Sequence, residues 1–496
     1  LSRGYDVAVG KLKRVTGSLG QFSVRIDALR QVEAGGRGAL TLGPPQDGAQ
    51  SECDLILDLS GNPALFPAPE KRDGYLRADP GSQSAVAAAV LAASHFTGTF
   101  EKPLYVSLTE TLCAHSRAEQ EACRNCLDIC PTGAITPAGE HVAVDVNICA
   151  GCGACATLCP SGAIEFDHPS VGHLIRRIQT LADTFGKAGG ANPRLLIHDS
   201  THGTEMIALA ARFARGLPAD VLPLEMEKVS GYGHAEMLAA LASGFSAVDV
   251  LIGPKTERDA LDRELRLALA LAGEPRIRFL DPVDPDALCD ALYDDAVPEV
   301  TTSPVLPMGS RRQIARLATK ALRGDASAPI PLPEAAPYGA VLVDTEACTL
   351  CLSCASLCPS GALSDNPDKP QLNFQEDACL QCGLCSNICP EDAITLKPQM
   401  DISDAALSVR VLNEEEPYEC IECGAAFGVK STVEKIIEKL EGKHSMFATS
   451  DAARMIRMCD NCRINAQFHS ENNPFAAGER PTPRTTEDYL KDRKIH

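Results

Sequence analysis

The sequence has no tryptophan, and aromatic residues make up only 4% of its 496 residues. It contains no apolar run of about 18 residues, the length that a membrane-spanning helix needs, and no basic-then-apolar leader of the secretory type. With a formal net charge of −20 at pH 7, it offers no basic stripe for phosphate groups. We therefore expect a cytoplasmic protein with no membrane span and no nucleic-acid partner.

Cysteine, in contrast, is abundant, with 22 residues in the chain. All except Cys53, Cys113 and Cys289 lie in C-x2-C pairs or in the Cys-Pro steps that follow them. In a chain long enough to bury ordinary cores, this pattern indicates metal ligation in a reducing compartment and not disulfides. Cys53 and Cys289 stand among aliphatic residues, so we expect them in the core.

Three stretches have the complete spacing C-x2-C-x2-C-x3-C-P, which bacterial ferredoxins use to bind 4Fe-4S clusters. They begin at Cys149, Cys348 and Cys379 and end at Pro160, Pro359 and Pro390. A fourth run, Cys123, Cys126 and Cys130 with Pro131, has Gln120 where its first cysteine is expected. The runs come in two pairs, which predicts two ferredoxin modules that hold two clusters each.

In such a module the last cysteine of each run binds the cluster of the other run. This exchange predicts four ligand sets. The first is Cys113, Cys123, Cys126 and Cys159; the second is Cys130, Cys149, Cys152 and Cys155; the third is Cys348, Cys351, Cys354 and Cys389; the fourth is Cys358, Cys379, Cys382 and Cys385. After each Cys-Pro step an apolar residue recurs that is expected to pack around the clusters and exclude water: Ile135, Ile164, Leu363 and Ile394.

The least regular ligand is Cys113, the nearest cysteine upstream of Gln120. A loop of seven inserted residues can still bring Cys113 to the iron, because the fold and not the distance in sequence sets the ligand geometry. Coordination by His115, or a cluster with only three irons, are the alternatives.

Two further C-x2-C pairs follow near the C-terminus, Cys420 with Cys423 and Cys459 with Cys462. Four thiolates in this arrangement suit a tetrahedral zinc ion, and such a closed site has no open position for a substrate. We expect a structural zinc site, with a fifth iron-sulfur cluster as the alternative.

The changing pattern along the chain predicts a multidomain protein of the α+β and α/β classes. Its expected parts are a small α/β domain at 1–112, truncated at its N-terminus because the chain starts at Leu1; ferredoxin module 1 at 113–168; a doubly wound, flavodoxin-like α/β domain at 169–296; a proline-rich linker with a basic helix at 297–340; ferredoxin module 2 at 341–398; a zinc-ribbon-like domain at 417–470; and an extended tail at 471–496.

Three segments inside these parts have more than one interpretation. The turn-rich loop 72–80 is expected to be a solvated connection, with a docking or cluster-covering role as the alternative. The basic helix at 310–323 ordinarily has a solvated face, although it could also dock an acidic partner. The run 53–59 predicts one buried strand. No G-x-G-x-x-G follows the first strand of the middle domain, so neither a nucleotide nor a flavin is expected there.

Several of these motifs together resemble a known family. The segments CAHSR at 113–117, CLDICPTGAI at 126–135, CAGCGACATLCPSGAI at 149–164, the GYLRADP loop, and the terminal CIECGAAFG and RMCDNC are similar to those of a polyferredoxin-like, proteobacterial multi-cluster 4Fe-4S binding protein family. Its genes tend to lie beside those of molybdenum formate dehydrogenases. The resemblance implies a formate dehydrogenase or a related oxidoreductase as the redox partner.

No nucleophile, no acid–base pair of catalytic residues and no substrate pocket can be recognised in the sequence. We therefore expect a non-catalytic electron-transfer protein or subunit that carries four 4Fe-4S clusters and one zinc ion. Two other function classes stay open. One is a maturation or assembly adaptor for a molybdenum oxidoreductase, and the other is a subunit that holds a flavin and bifurcates electrons.

Overall fold

The computed structural model describes residues 6–33, 41–293, 299, 304–324, 328–440 and 454–469. The extended tail expected at 471–496 and the start of the chain at Leu1 lie outside the described residues. Within the described part, helices and strands are mixed, and none of the helices combines the length and the apolar character that a membrane crossing requires.

The N-terminal part is built on an antiparallel sheet in which the second strand pairs with the other three. A short parallel pair and one helix complete it. Its elements are β1 (Ala8–Thr16), β2 (Phe22–Glu33), β3 (Thr41–Leu42), β4 (Ala49–Cys53), β5 (Ile56–Asp58), β6 (Tyr75–Arg77) and α1 (Gln83–Ser94). The single buried strand expected over 53–59 is wrong, because β4 ends at Cys53, β5 begins at Ile56, and Leu57 is exposed.

The first cysteine module contains two short helices and three antiparallel strand pairs, β7 with β12, β8 with β9, and β10 with β11. Its elements are β7 (Val106–Leu108), β8 (Ser116–Arg117), β9 (Gln120–Glu121), α2 (Asn125–Ile129), β10 (Ile135–Ala138), β11 (His141–Val144), α3 (Ala154–Thr157) and β12 (Ile164–Phe166). Because β7 pairs with β12, this module reaches back before the boundary expected at residue 113.

The middle of the chain folds into a four-stranded parallel sheet with the strand order β14-β13-β15-β16. Its elements are α4 (Val171–Lys187), β13 (Arg194–Asp199), α5 (His202–Phe213), β14 (Val221–Met226), α6 (His234–Ala242), β15 (Ala247–Leu251), α7 (Arg258–Ala272), β16 (Ile277–Leu280) and α8 (Pro285–Tyr293). Side chains alternate between the two faces of β13: Leu195 and Ile197 pack with α4, α6 and α7, whereas Leu196 packs with α5 and α8. Helices therefore cover both faces of the sheet.

The second cysteine module and the C-terminal part follow the same pattern of short strands and short helices. Their elements, including the segment that leads into them, are α9 (Arg311–Arg323), β17 (Ile330–Pro331), β18 (Gly339–Val343), α10 (Ser353–Ser356), β19 (Leu363–Ser364), β20 (Gln371–Phe374), α11 (Leu384–Asn387), β21 (Ile394–Met400), β22 (Arg410–Glu414), β23 (Pro417–Glu419), β24 (Ala426–Val429), α12 (Lys430–Leu440) and α13 (Asp460–Phe468). β21 pairs with both β17 and β18, and β20 pairs with both β19 and β22.

The described part of the segment expected to be a linker is not a free spacer. Ile314, Ala315 and Ala318 of α9 are buried in the same core as α6, and Ile330 and Tyr338 join them. The expectation of a solvated basic face on α9 is also wrong for Arg316, which is buried and donates to the carbonyl oxygens of Asp401 and Ser403. Arg311, Arg312 and Arg316 of this helix all donate to backbone carbonyl groups inside the protein.

Candidate metal centres

The three complete cysteine runs share a loop conformation that turns the backbone around a central space. The residue before the second cysteine has a left-handed conformation in each run, with φ of 66° at Gly151, 49° at Leu350 and 52° at Gln381. This conformation is unfavourable for residues other than glycine, and such strain is typical of functional loops. A short helix follows each loop, namely α3, α10 or α11.

The structure brings the four cysteines of the first set together. Burial raises the pKa of the Cys126 thiol to about 12, and the neighbouring Cys123, Cys159 and Cys113 add to the rise. Burial likewise raises the pKa of Cys123 to about 12, again with Cys159 and Cys113 close by. Cys113 itself is buried at the end of a short helical turn over 110–112. It is therefore near the sulfurs of the first set despite the insertion.

His115, the other candidate ligand of this set, is 2% exposed, and its Nδ1 lies 3.1 Å from the carbonyl oxygen of Cys123. This contact fixes the histidine ring against the backbone of the ligand loop. Cys53 is half-buried beside Phe22, and Cys289 is buried beneath the parallel sheet. Neither of these two cysteines lies in one of the four sets.

The second set also comes together. Burial raises the pKa of Cys155 well above its usual value, and Cys152, Cys149 and Cys130 contribute to the rise in that order. Cys130 acts on Cys149 and Cys152 as well. The last cysteine of the first run thus lies within electrostatic range of the three cysteines of the second run, and their binding of one cluster stays a prediction.

The cysteines of the second module are grouped in the same way. The four cysteines of the third set line one small cavity: Cys348, Cys351, Cys354 and Cys389. In the fourth set, burial raises the pKa of Cys385, and Cys379, Cys382 and Cys358 contribute to the rise. Cys351 is the one exposed thiol among the sixteen cysteines of the four sets, so solvent reaches the third set at this cysteine.

Backbone N–H groups point at the last sulfur of every run. The donor follows the cysteine by four or five residues: Ala134 donates to Cys130 at 3.3 Å, Ile164 to Cys159 at 3.4 Å, Leu363 to Cys358 at 3.5 Å and Ala393 to Cys389 at 3.3 Å. Hydrogen bonds to the ligand sulfurs tune the potential of a bound cluster. The apolar residues expected around the clusters, Ile135, Ile164, Leu363 and Ile394, are all buried with the cysteines.

The chemistry of these donor sets fits iron. A buried thiol whose pKa is raised keeps its proton unless a cation takes the proton's place, and metal coordination deprotonates a thiol outright. The four sets combine grouped buried thiols, inward N–H donors and an apolar surround. They are therefore suited to hold cubane clusters and exclude water from them.

The sets follow one another in a single order through the protein. Cys155 of the second set lies within electrostatic range of Cys126 of the first, and Cys385 of the fourth lies within range of Cys354 of the third. Cys382 of the fourth set acts on Cys123 of the first, across the boundary between the modules. The order is second, first, fourth, third.

The insertion between Cys113 and Cys123 lies at this boundary. It forms the hairpin of β8 and β9, with Ala118 and Glu119 in left-handed conformations at its tip, and β9 contacts α11 of the second module. The hairpin that separates Cys113 from the rest of its run therefore also contacts the second module.

A different kind of centre is formed by Cys420, Cys423, Cys459 and Cys462, whose sulfurs all lie within 4.8 Å of one another. The sulfurs of Cys423 and Cys459 are 3.7 Å apart. A tetrahedral ion with metal–sulfur bonds of about 2.3 Å requires edges of about 3.8 Å. A cubane places several atoms between its ligand sulfurs and would hold them further apart. This group therefore has the dimensions of a site for a single metal ion.

Comparison with protein families identifies two segments of the chain. Residues 121–163 and residues 347–394 each match a family described as a 4Fe-4S dicluster domain. The chain contains two 4Fe-4S dicluster domains. Each dicluster domain covers much less than half of the chain, and Cys113 precedes the first match. None of the curated proteins matches the chain.

Proposed function

We propose that this iron-sulfur protein is an electron-transfer protein or subunit that holds four 4Fe-4S clusters in one row and passes electrons to or from an oxidoreductase. Bound clusters supply one-electron transfer. The chain's own residues position the clusters, exclude water and tune the potentials, and no catalytic group is proposed.

The observation that carries the proposal is the contact between cysteine loops of different dicluster domains. Arg312 donates from Nη1 to the carbonyl oxygen of Pro160 at 3.4 Å and from Nη2 to that of Cys379 at 2.8 Å. Pro160 follows Cys159 of the first set, and Cys379 belongs to the fourth. One side chain thus separates the ligand loops of two inner sets, which supports transfer across the domain boundary.

Three further parts complete the proposal. We propose a zinc ion at Cys420, Cys423, Cys459 and Cys462, in a zinc-ribbon-like domain that contacts the third set through the bond from the Thr432 hydroxyl to the Thr349 carbonyl. We propose that the middle domain is a doubly wound scaffold that holds the two dicluster domains together. On the resemblance of the motifs, we propose a cytoplasmic formate dehydrogenase or related oxidoreductase as the partner.

The first test is the metal and acid-labile sulfide content of protein purified without oxygen. Four cubanes and one zinc site require about 16 iron, about 16 sulfide and about one zinc per chain. Iron at about 12 or below would contradict the four-cluster proposal and favour a maturation adaptor instead.

The second test concerns the order of the sets, by EPR after reduction with dithionite. A Cys382→Ala variant, which lacks a ligand of the fourth set, should lose the magnetic coupling between the two domains. The matched Cys351→Ala variant, altered in the terminal third set, should keep it. If both variants keep the coupling, the proposed row is wrong.

A further inference from the structure

Arg72, at the start of the loop 72–80, is a buried cation beside the second set. Its side chain is 7% exposed. Nη1 donates to the carbonyl oxygen of Gly17 at 3.1 Å, Nη2 donates to that of Thr132 at 3.0 Å, and the guanidinium lies 4.5 Å above the ring of Phe66. Thr132 stands two residues after Cys130, a ligand of the second set. Arg72 therefore joins the N-terminal part to a cluster loop.

One donor of this guanidinium is unused. The Nε–H of Arg72 is buried and has no hydrogen-bond partner among the described residues. The carboxylates within its electrostatic range have other partners: Asp145 accepts from the backbone N–H groups of Asn147 and Ile148, and Asp73 pairs with Lys102. A buried donor without an acceptor costs about 1–3 kcal/mol, and more when it is charged. An anion bound at this place would supply the missing acceptor.

Other cations near the second set differ from Arg72 in one respect. Lys102 donates to the carbonyl oxygen of Asn147, and Lys71 lies within electrostatic range of Cys152. Each of them is compensated by a carboxylate, Asp73 for Lys102 and Glu257 for Lys71. Arg72 has no carboxylate ion pair among the described residues; Asp145, Cys130 and Asp73 lie within its electrostatic range, in that order of influence, and Cys130 is a ligand of the second set.

We propose that Arg72 is a contact residue of the cluster held by the second set, with its Nε–H as a donor to a sulfur of that cluster. Its positive charge stabilises the extra electron of the reduced cluster and so raises the reduction potential at this end of the row. The inference rests on the proposed function, because it requires a cluster at Cys130, Cys149, Cys152 and Cys155. It also gives the loop a cluster-covering role in place of the solvated connection expected from sequence.

The test is a redox titration of the full chain, followed by EPR, for Arg72→Gln, Arg72→Lys and the matched control Arg77→Gln. Arg77 belongs to the same loop but has a side chain that is 39% exposed. Arg72→Gln should make reduction of one cluster at least tenfold less favourable, which is about 59 mV for one electron. Arg72→Lys should retain most of the potential, and Arg77→Gln should change none. The affected signal should be the one that a Cys149→Ser variant alters.

Unchanged potentials in an Arg72→Gln protein with full iron content would overturn the proposal and leave Arg72 as a structural brace. If Arg72→Gln instead loses about four irons, a Phe66→Leu variant distinguishes a cluster contact from a structural role of Arg72. This variant removes the ring beneath the guanidinium and keeps the positive charge of Arg72. Retention of iron in Phe66→Leu supports the cluster contact, and the same loss of iron overturns it. A wild-type protein that lacks a cluster at the second set would refute the proposed function itself.

Discussion

Pro160 and Cys379, which belong to different dicluster domains, accept hydrogen bonds from the same guanidinium, that of Arg312. The same side chain also donates to the carbonyl oxygens of Pro337 and Asp377. The boundary between the two domains is therefore held by charge-assisted bonds to backbone carbonyl groups.

We predict that Arg312→Gln lowers the free energy of unfolding by about 3 kcal/mol, because several carbonyl groups lose their donor at once. It should also weaken the magnetic coupling between the domains. Chemical denaturation and EPR measure the two effects. Lys320→Gln on the same helix is the control, since its partly exposed pair with Asp404 should contribute less than about 1 kcal/mol. Equal stability of the two variants would contradict the prediction.

Iron analysis can decide whether Cys113 or His115 is the fourth ligand of the first set. Cys113→Ser should lower the iron content from about 16 to about 12 per chain, or leave a three-iron cluster with its own EPR signal. His115→Ala should keep about 16 irons, because the Nδ1 of His115 already contacts the carbonyl oxygen of Cys123. Loss of iron in His115→Ala alone would make the histidine the ligand.

The four-cysteine group near the C-terminus should be independent of the clusters. We predict that Cys462→Ala releases about one zinc per chain and leaves about 16 irons in place, since this group shares no sulfur with the four sets. Metal analysis of both proteins measures the change. A wild-type protein with about 20 irons and no zinc would establish a fifth cluster instead.

Glu264 should make the folded protein less stable at acidic pH than at neutral pH. Burial opposes its ionisation, but His234, which donates from both its ring and its backbone N–H, and nearby Arg311 outweigh burial and lower the pKa of Glu264 below 4.5. A carboxylate whose pKa is depressed by folding stabilises the protein above its unfolded-state pKa, and this contribution is lost as the pH falls through the folded-state value. We therefore predict that Glu264→Gln is less stable than wild type by about 3 kcal/mol at pH 7.

The difference should narrow as the pH falls from the ordinary pKa of a glutamate through the lowered folded-state pKa of Glu264, because the unfolded chain takes up the proton before the folded protein does. Thermal unfolding of both proteins from pH 7 down to about pH 2 measures the difference. Glu274→Gln, at an exposed carboxylate, is the control and should follow the wild type. A difference that is constant over this range would show that packing, and not charge, is responsible.

The cysteine loops were the most predictable part of the molecule, because their ligands lie within a few residues of one another and the spacing determines the loop. Sequence reasoning reached the grouping of Cys130 with Cys149 and of Cys358 with Cys385, since the exchange is part of the same pattern. Cys113 required a structural argument, because an inserted hairpin separates it from its run.

The relations between domains could not be predicted. The order of the four sets, the burial of Arg316 and the contact of Arg72 with Thr132 all depend on how distant segments pack. Local composition shows that a residue is basic, but not whether a carbonyl group or water surrounds it. The unused donor of Arg72 has no sequence signal except its place in a turn-rich loop.

The hydrogen bonds of Arg312 to both dicluster domains distinguish this chain from a pair of separate ferredoxins. Two free ferredoxins meet by diffusion, at a rate that depends on their concentrations and that changes with ionic strength. Here both partners belong to one chain, and one side chain fills the gap between Pro160 and Cys379. The two domains are brought together when the protein folds. The rate of the proposed electron exchange between them should therefore change neither on dilution nor on addition of salt.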